Sequence, residues 1–458
     1  MGSTAPLRPC KVIIVGGGIS GLGLAAMLDR VGIDYTLLEA YDEIVATRLI
    51  AGIAMTPNGL RILDQLGCFE DLRDRVKPMA KMRWWGPDGE LIVGADDWDQ
   101  MFIKRYGYSM LWIERWMLLQ VLYDRIADKG KLLTGKRVES VVHSENGVEV
   151  RTTDGSVYQG DIVVGADGAH SRVRQEIARR AEDLGLGEEY DDANEVASTY
   201  ACLFGVSDPV PSIPIGLIGF GAHKQHSYIF GTGPANTMHW SLLKNMGSTL
   251  RGPDIPQLGE KEIDGLIKEF WEDNITPDVK VKDLYNCRRR LVYIPTREYV
   301  HKKWHLDRMI ALGDASHKMT VIIAQGGNQA LESVAALTNG LFEVLSRPTP
   351  GCMSQDEIRE MFQSVQDLRH ERTAAVMDMS NARQQLDALE TPELEDTLLN
   401  KVRDIFPGVA LQRWDAIVPG SVSLSMLDIP YRPRELAFND ELEKTPGEAE
   451  KAPAESRL

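Results

Sequence analysis

Apolar and polar residues follow one another along the first forty positions in an order that predicts a strand, a helix and a second strand. Lys11 to Val15 (KVIIV) is a β-branched run typical of a buried strand, and a glycine-rich stretch follows it directly. The apolar spacing from Ile19 to Val31 predicts a helix, and Tyr35 to Glu39 (YTLLE) predicts the next strand. We therefore expect a βαβ unit at the start of the chain.

The pattern beyond this unit separates three regions. The first region contains the βαβ unit. It also contains predicted helices at 58–66 and 115–129, a hairpin at 84–93, and strands at 138–142, 148–152 and 161–165. Alternating apolar and polar residues then predict a separate antiparallel sheet with strands at 200–206, 227–230 and 238–243. A short strand at 309–312 leads into a helical tract from 325 onward, and 355–405 has a helical, charge-rich pattern.

Composition and charge exclude several classes of protein. The chain has 458 residues, of which 43% are hydrophobic and 26% charged, as in globular enzymes and unlike disordered or collagen-like chains. Its 51 Lys and Arg against 67 Asp and Glu give a net charge of -16, which repels nucleic acid and anionic lipid. A bound phosphate group therefore has to be held locally, by backbone amides or a few arginines.

Cysteine and histidine usage gives no indication of a metal site or of disulfides. The five cysteines are scattered without CxxC spacing, which is typical of a reducing compartment, and the nine histidines show no HExxH signature. No apolar stretch has the length and character of a membrane span, so we expect a cytoplasmic protein. The sequence does not indicate an oligomeric state.

The glycine-rich stretch satisfies the pattern GxGxxG through Gly16, Gly18 and Gly21. In a dinucleotide-binding turn the first glycine permits the tight turn, the second lets a pyrophosphate approach, and the third lets helix and strand pack closely. Glu39 ends the second strand, where a carboxylate accepts hydrogen bonds from ribose hydroxyls. A chance cluster of turn glycines is the alternative, and the spacing alone does not separate NAD from FAD.

Two downstream motifs extend this pattern. Residues 165–174 read GADGAHSRVR, and residues 313–317 read GDASH and continue to AQGGN at 324–328. These three motifs, in this order, resemble the FAD-dependent single-component monooxygenases of the aromatic-hydroxylase type, whose fold is that of p-hydroxybenzoate hydroxylase. The stretches 56–67 and 317–320 are most similar to the fungal subgroup that oxidises terpenoid, meroterpenoid or prenylated indole natural products.

The resemblance implies a bound FAD, a transiently bound NADPH or NADH, and dioxygen as the second substrate. It assigns FAD contacts to six further residues: Gly52, Arg115, Asp167, Asp314, Gly326 and Gly327. Helix capping is the alternative for Asp167 and Asp314, and a surface salt bridge is the alternative for Arg115. No second complete dinucleotide fingerprint is present, so the nicotinamide cofactor has no Rossmann unit of its own.

The candidate for a catalytic side chain is Tyr228, which lies on a predicted strand where related enzymes place a polar residue over the flavin. A tyrosine packed in the sheet is the alternative. Four aromatic residues fit either the wall of an apolar pocket for a hydrophobic substrate or ordinary core packing: Trp84, Trp85, Phe230 and Trp240.

The chain departs from the family pattern at three positions. Val321 stands where a proline is usual, Ala324 where glycine is common, and Ser333 where an acid is frequent. These departures leave FAD binding intact but keep two other functions open. One is a flavin-dependent oxidase or redox-neutral cyclase, and the other is a flavin-binding protein without catalysis.

We therefore predict an α/β fold in which a Rossmann-like FAD-binding domain carries an inserted antiparallel β-sheet and a C-terminal helical region. The predicted segments are 10–80, 105–190 and 285–350 for the FAD-binding domain, 81–104 and 191–284 for the substrate-binding sheet, 351–435 for the helical region, and 436–458 for a disordered tail. The predicted function is the epoxidation or hydroxylation of a small hydrophobic natural-product intermediate, although the sequence does not specify which molecule.

Overall fold

The βαβ unit predicted for the start of the chain is present in the computed structural model. The structure describes residues 6–46, 52–144, 147–190 and 195–442. Strand Lys11–Val15 and strand Asp34–Leu38 pair in parallel, and helix Ile19–Val31 connects them. The helix ends where Gly32 adopts a left-handed conformation and its amide donates back to carbonyl oxygens of the last turn.

The two strands belong to a six-stranded sheet, which we call the parallel sheet. Its order is His305–Leu306, Met309–Ala311, Ile162–Gly165, Lys11–Val15, Asp34–Leu38 and Leu132–Leu133, and only the first strand is antiparallel to its neighbour. Three adjacent strands end just before the three sequence motifs, which begin at Gly16, Gly165 and Gly313. The motifs therefore meet at one edge of the sheet, where open α/β sheets bind their ligands.

A seven-stranded sheet forms the second layer. We call it the antiparallel sheet because its neighbouring strands pair antiparallel, except that Leu217–His223 and Lys81–Trp85 are parallel, which corrects the prediction of a purely antiparallel sheet. Its order is Arg288–Pro295, Ala197–Ser207, Met238–Arg251, His226–Thr232, Leu217–His223, Lys81–Trp85 and Leu91–Ala95. The strand Arg288–Pro295 lies in the segment 285–350 that was predicted to belong to the FAD-binding domain, so that boundary is corrected. This strand lies at the edge of the sheet, where it pairs with one neighbour only, and its three consecutive arginines obscure the apolar pattern.

Smaller elements complete the molecule. The minor sheets are Val138–Ser144 with Gly147–Thr152 and Val157–Gly160, Gly52–Met55 with Leu111–Glu114, Asn274–Thr276 with Val279–Lys280, and Tyr299–Val300 with His317–Lys318. The other helices before the C-terminal region are Pro57–Gln65, Phe69–Arg73, Trp98–Tyr106, Arg115–Arg125, Arg172–Asp183, Gly187–Tyr190, Glu260–Glu269 and Val281–Asn286.

The C-terminal region begins with two long helices, Gly326–Leu345 and Gln355–Asp387, which pack against each other. The second starts at a capping box formed by Ser354 and Glu357 and extends across to the antiparallel sheet, where Gln384 Nε2 donates to Ser227 Oγ at 2.8 Å. Short helices follow at Pro392–Asp396, Val402–Ile405, Gly408–Asp415 and Asn439–Leu442. No helix in the described part of the chain combines the length and apolar character that crossing a membrane requires.

The predicted disordered tail starts too early in the chain. Phe438 is buried, and the Arg61 guanidinium lies 4.0 Å from the centre of its ring. Arg61 also forms an ion pair with Asp440 at 2.8 Å. Residues 436–442 are therefore packed against helix Pro57–Gln65, and the remainder of the predicted tail, 443–458, lies outside the described residues.

Candidate active site

A cavity of about 1210 Å³ extends from the motif-bearing edge of the parallel sheet to one face of the antiparallel sheet. We call its part over the parallel sheet the groove and its part against the antiparallel sheet the chamber. Nine of the ten predicted cofactor residues line the cavity: Gly16, Gly18, Glu39, Gly52, Arg115, Asp167, Asp314, Gly326 and Gly327. The tenth, Gly21, lies directly behind Gly16. The fold thus brings the predicted set together.

The glycine-rich turn is shaped by close contacts between backbones. Gly16 has a φ of +101°, and a Cβ atom there would lie 2.6 Å from the carbonyl oxygen of Ala166. A Cβ atom on Gly21 would lie 1.8 Å from the carbonyl oxygen of Gly16. At Gly18, by contrast, the only neighbour within 4 Å of a Cβ among the described residues is Arg115 Nη2, at 3.4 Å. Gly16 and Gly21 therefore hold the turn together, while Gly18 faces open groove.

Glu39 is fixed at the rim of the groove by backbone amides. Its Oε2 accepts from the Gly17 amide at 2.6 Å, and its Oε1 accepts from the Tyr41 amide at 2.8 Å. This arrangement places a carboxylate beside the glycine-rich turn, with lone pairs remaining for the hydroxyls of a ribose.

Arg115 supplies a half-buried positive charge to the groove. It begins helix Arg115–Arg125, and its guanidinium forms no hydrogen bond within the described ranges. Burial lowers the pKa of Arg115, while the charges of Asp314 and Glu39 act in the opposite direction. A half-buried cation without a hydrogen-bond partner among the described residues favours an anionic ligand, and Arg115 lies beside the amide end of helix Ile19–Val31. Both features fit a pyrophosphate.

Gly52 lies on the short strand that pairs with the strand before Arg115, with Gly52 opposite Glu114. A Cβ atom at position 52 would lie 2.7 Å from Trp112 Nε1 and 2.8 Å from His239 Nδ1. Glycine at this position therefore lets the Trp112 and His239 side chains pack directly against the backbone, and Gly52 itself lines the cavity.

Asp167 is already engaged by the protein. Its Oδ1 accepts from Ser171 Oγ at 2.5 Å, and its Oδ2 accepts from the amides of Arg172 and Val173 at 2.6 and 3.2 Å. Burial raises the pKa of Asp167, although these hydrogen bonds oppose the shift. The carboxylate thus caps helix Arg172–Asp183, as the alternative interpretation stated, and its direct contact with FAD stays a prediction.

The third motif places an acid and a helix start at the other side of the groove. The Asp314 side chain is 38% exposed and forms an ion pair with Lys318, while its backbone oxygen accepts from the Tyr299 hydroxyl at 2.6 Å. Gly326 and Gly327 form the first turn of helix Gly326–Leu345, and no atom lies within 4 Å of a Cβ on Gly326. The free amides of this turn therefore face the groove and favour negative charge on a ligand.

A buried polar network that the sequence analysis missed supports this helix start. Asn58 Nδ2 donates to Gln325 Oε1 at 3.0 Å and to Glu332 Oε1 at 2.7 Å, which joins helix Pro57–Gln65 to helix Gly326–Leu345. Glu332 also pairs with Arg369 and Arg372 of the next helix, at 2.5 and 2.7 Å. Although burial opposes the shift, the charges of Arg372 and Arg369 lower the pKa of Glu332 to about 2. Glu332 is therefore a buried anion between two cations.

The chamber is apolar and is closed by the C-terminal region. The antiparallel sheet and its neighbours contribute Met82, Trp84, Trp98, Met110, Trp112, Phe204, Ile218, Phe220 and Ile229. The C-terminal region contributes Met379, Leu386, Val402, Phe406, Val409, Ala410, Trp414 and Ile417. Sequence reasoning missed this second set, because a helical apolar pattern does not show which cavity it faces. The chamber is suited to a hydrophobic molecule.

Of the four aromatic residues predicted for the pocket wall, Trp84 lines the chamber. Trp85, Phe230 and Trp240 pack in a core on the opposite face of the antiparallel sheet, where the rings of Trp85 and Phe230 stack at 5.5 Å. For these three residues, core packing is the correct interpretation.

The structure also corrects the prediction for Tyr228. Successive residues of a strand point to opposite faces, and it is Ile229 that lines the chamber. Tyr228 is buried on the other face, where its hydroxyl donates to Asp273 Oδ2 at 2.8 Å. Burial raises the pKa of Tyr228 well above its usual value. The Tyr228 phenol therefore does not face the cavity. The prediction that it acts as a catalytic residue over the flavin is inconsistent with this position.

Arg383 brings a charged side chain to the chamber beside its aromatic wall. The Arg383 guanidinium lies 4.0 Å from the centre of the Trp84 ring and 4.4 Å from that of Phe220. Its Nε donates to Asp387 Oδ1 at 2.7 Å, whereas its Nη2 is buried without a hydrogen-bond partner among the described residues. Because Arg383 lines the cavity, it places a positive charge beside a molecule in the chamber.

The three departures from the family pattern have local explanations. The Val321 carbonyl accepts from the Ala324 amide at 2.9 Å, so a turn forms here without proline. Ala324 adopts the left-handed conformation with a φ of 55°, which explains why glycine suits this position. Ser333 Oγ lies 2.9 Å from His317 Nε2, and the adjacent residue Glu332 provides a buried acid on the same helix.

Comparison with known proteins agrees with this geometry. A family model described as an FAD binding domain matches residues 9–353. The FAD-dependent monooxygenase spyC of Aspergillus fumigatus is 34% identical over 372 residues, which cover 80% of this chain and 78% of the relative. The FAD-dependent monooxygenase olcE of Penicillium canescens is 32% identical over 427 residues, covering 92% and 90%. For anuJ of Penicillium roqueforti the identity is 33% over 442 residues, covering 93% of this chain and 53% of the relative, so the chain spans about half of that protein.

Solved structures confirm the predicted fold. HpxO of Klebsiella pneumoniae, complexed with FAD and uric acid, superposes with a TM-score of 0.73 at 20% identity, covering 90% of this chain and 97% of that chain. A salicylate hydroxylase substrate complex gives a TM-score of 0.68 at 18% identity, covering 92% and 99%. FAD is thus the cofactor that the groove accommodates, and the chain belongs to the FAD binding domain family, among the FAD-dependent monooxygenases.

Proposed function

We propose that this monooxygenase uses NADPH or NADH and dioxygen to epoxidise or hydroxylate a hydrophobic natural-product intermediate of secondary metabolism. In the overall reaction one oxygen atom enters the substrate, and the other leaves as water with the two electrons of the nicotinamide. The observation that carries the proposal is the continuity of the polar groove with the apolar chamber in a single cavity of about 1210 Å³. A substrate in the chamber therefore lies against a cofactor held in the groove.

The residues of the groove bind and orient the cofactor. The amide end of helix Ile19–Val31 and the Arg115 guanidinium hold the pyrophosphate, and Glu39 accepts from a ribose hydroxyl. The open helix start at Gly326 stabilises negative charge on the ring system. Bound FAD supplies the redox chemistry with dioxygen, and the protein supplies position and electrostatics.

The residues of the chamber exclude water and orient the substrate. The aromatic and aliphatic side chains of both sheet and C-terminal region enclose an apolar molecule, such as a terpenoid or a prenylated indole. The Arg383 guanidinium lies at the wall beside them, and its positive charge favours a substrate that carries a carbonyl or hydroxyl oxygen on that side.

Oxygen-18 labelling tests the proposal. The purified FAD-loaded chain is incubated with labelled dioxygen, NADPH or NADH, and a panel of terpenoid alkenes and prenylated phenols or indoles. We expect one labelled atom in the product and one nicotinamide oxidised for each product formed. Unlabelled product formed without nicotinamide oxidation would remove the monooxygenase assignment of the reaction. The Arg383→Met variant provides a second readout, since it raises KM for an oxygen-bearing substrate while leaving FAD content unchanged.

A second candidate function is a flavin-dependent oxidase or a redox-neutral cyclase acting on the same kind of substrate. Val321 favours it, because this position carries proline in the family pattern and valine leaves the backbone freer. An oxidase would release one hydrogen peroxide for each substrate oxidised, and a cyclase would consume neither dioxygen nor nicotinamide. A flavin-binding protein without catalysis is less favoured, because the chamber suits a substrate. The cytoplasmic location stays a prediction.

A further inference from the structure

Two histidines and an aspartate meet at the edge of the antiparallel sheet, on a tight hairpin away from the cavity. His223 ends strand Leu217–His223 and His226 begins strand His226–Thr232, where the two residues are direct partners across the hairpin. Asp273 precedes the small strand Asn274–Thr276 and approaches from the other side. One potential metal-ligand atom from each of the three residues lies within 4.8 Å of the other two.

Hydrogen bonds fix which nitrogen of each imidazole faces the aspartate. His223 Nε2 lies 3.0 Å from the carbonyl oxygen of Asn274, and His226 Nδ1 lies 2.9 Å from the carbonyl oxygen of Lys224. A carbonyl oxygen only accepts, so these two nitrogens carry the hydrogen atoms. In the neutral rings, His223 Nδ1 and His226 Nε2 then present lone pairs, and they lie 3.8 and 2.6 Å from Asp273 Oδ2. Two lone pairs and a carboxylate oxygen therefore converge on one point.

We propose that His223, His226 and Asp273 bind a divalent cation with the ligand preferences of Zn²⁺. Zinc takes imidazole nitrogen and carboxylate oxygen at about 2.0–2.2 Å, commonly as three protein ligands and one water. Tetrahedral geometry at that bond length separates the ligand atoms by roughly 3.3–3.5 Å. The observed separations of 2.6 and 3.8 Å from Asp273 Oδ2 lie on either side of that value, so small side-chain movements suffice.

The surroundings of the cluster match those of metal sites. Ligating histidines usually donate their second nitrogen to a backbone carbonyl or carboxylate, and ligating carboxylates accept further hydrogen bonds. Both histidines meet this condition, and the Tyr228 hydroxyl donates to Asp273 Oδ2 at 2.8 Å. The side chain of Asp273 is 24% exposed, which leaves a path for the ion and its water.

This site departs from the expectation, drawn from the sequence, that the chain holds no metal. The two histidines are close in sequence but do not form a known motif, and the third ligand comes from a distant segment that only the fold brings near. A cation there would tie the hairpin to the segment around Asp273. Because Tyr228 and the cluster lie on the face of the sheet opposite the chamber, the metal stabilises the sheet rather than taking part in oxidation.

Zinc titration of the FAD-loaded full chain tests the proposal. After removal of metals with EDTA and exchange into chelator-free buffer, calorimetry with Zn²⁺ should show one ion bound per chain. At zinc about 100-fold above its Kd, the thermal unfolding midpoint should rise by roughly 3 °C. His226→Gln and Asp273→Asn should each abolish the binding and the shift, while the control His370→Gln, on helix Gln355–Asp387, should retain both.

Two results would overturn the proposal. Wild-type chain that binds no zinc would show that the cluster is an ion pair in which a proton lies between His226 and Asp273. Zinc bound equally by wild type, His226→Gln and Asp273→Asn would show that the metal binds elsewhere, for example at the exposed Cys352. The wild-type titration requires no substitution, so the first result is decisive even where a variant fails to fold.

Discussion

Substitution of Gly18 by alanine should weaken FAD binding without weakening the fold. Gly18 precedes helix Ile19–Val31 with φ -76° and ψ -166°, an extended conformation that alanine adopts without strain. The added methyl group would have one neighbour within 4 Å, Arg115 Nη2 at 3.4 Å. The apo protein should therefore gain about 0.4–1 kcal/mol, because alanine restricts the unfolded chain.

The same methyl group projects into the groove, where the pyrophosphate approaches the backbone. Overpacking of one methyl group costs about 1–3 kcal/mol, which corresponds to an FAD affinity roughly 5- to 150-fold lower. Titration of the apo protein with FAD, followed by flavin fluorescence, measures the Kd. Thermal unfolding of the apo protein measures its stability. Wild-type FAD affinity in Gly18→Ala would refute the placement of the pyrophosphate at this turn.

Two comparison variants separate binding from folding. In Gly21→Ala the new Cβ would lie 1.8 Å from the Gly16 carbonyl oxygen, so the apo protein itself should be destabilised. In Gly265→Ala, within helix Glu260–Glu269, nothing lies within 4 Å of the new Cβ. That control should become more stable by up to about 1 kcal/mol and bind FAD as the wild type does.

Three further predictions concern buried charges. Arg115→Met removes the unpartnered cation of the groove and, with it, charge-assisted hydrogen bonds to FAD worth about 1.5–3 kcal/mol. This loss should weaken FAD binding roughly 10- to 150-fold, as measured by fluorescence titration. Glu332→Gln leaves Arg369 and Arg372 without their buried counter-charge and should lower the free energy of unfolding by about 3–5 kcal/mol, as measured with urea. Burial lowers the pKa of His239 to about 4, so this histidine should contribute a loss of about 3 kcal/mol to the fall in wild-type stability between pH 6.5 and 4, and His239→Gln should remove that part of the dependence.

Each of these variants has a control and a contradicting outcome. Arg75→Met changes an exposed arginine and should leave the Kd for FAD unchanged; equal weakening in both arginine variants would point to a general charge effect. Glu343→Gln breaks a surface ion pair with Arg347 and should change stability by less than about 1 kcal/mol. For His239, stability falls toward low pH because the imidazole of the unfolded chain binds a proton below pH 6.5. The buried imidazole of the folded chain stays neutral until about pH 4. Parallel pH profiles for the wild type and the glutamine variant would contradict this reasoning.

The groove could be predicted from the sequence because its residues directly follow buried strands. Glu39 and the three motifs all lie at strand ends, and parallel strands bring their carboxyl ends to one edge. The role of Asp167 was predicted less well, since a carboxylate before a helix serves equally as a cap and as a ligand contact.

The chamber could not be predicted to the same extent. The register of a strand decides which of its side chains face the cavity. An error of one position would place Tyr228 in the chamber where the structure has Ile229. The buried network around Glu332 depends on three helices from distant parts of the chain. A single acidic residue in a helical pattern gives no indication of such partners.

The wall that residues 402–417 contribute to the chamber has a consequence for protein synthesis. All strands of the parallel sheet have left the ribosome once residue 311 has emerged, and the helix Gly326–Leu345 follows soon after. Because domains fold as they emerge, a nascent chain can acquire its coenzyme before the chamber has its last wall. Under the proposed function, such an intermediate would hold its cofactor without retaining a substrate, so productive turnover would begin only when translation has delivered this late segment.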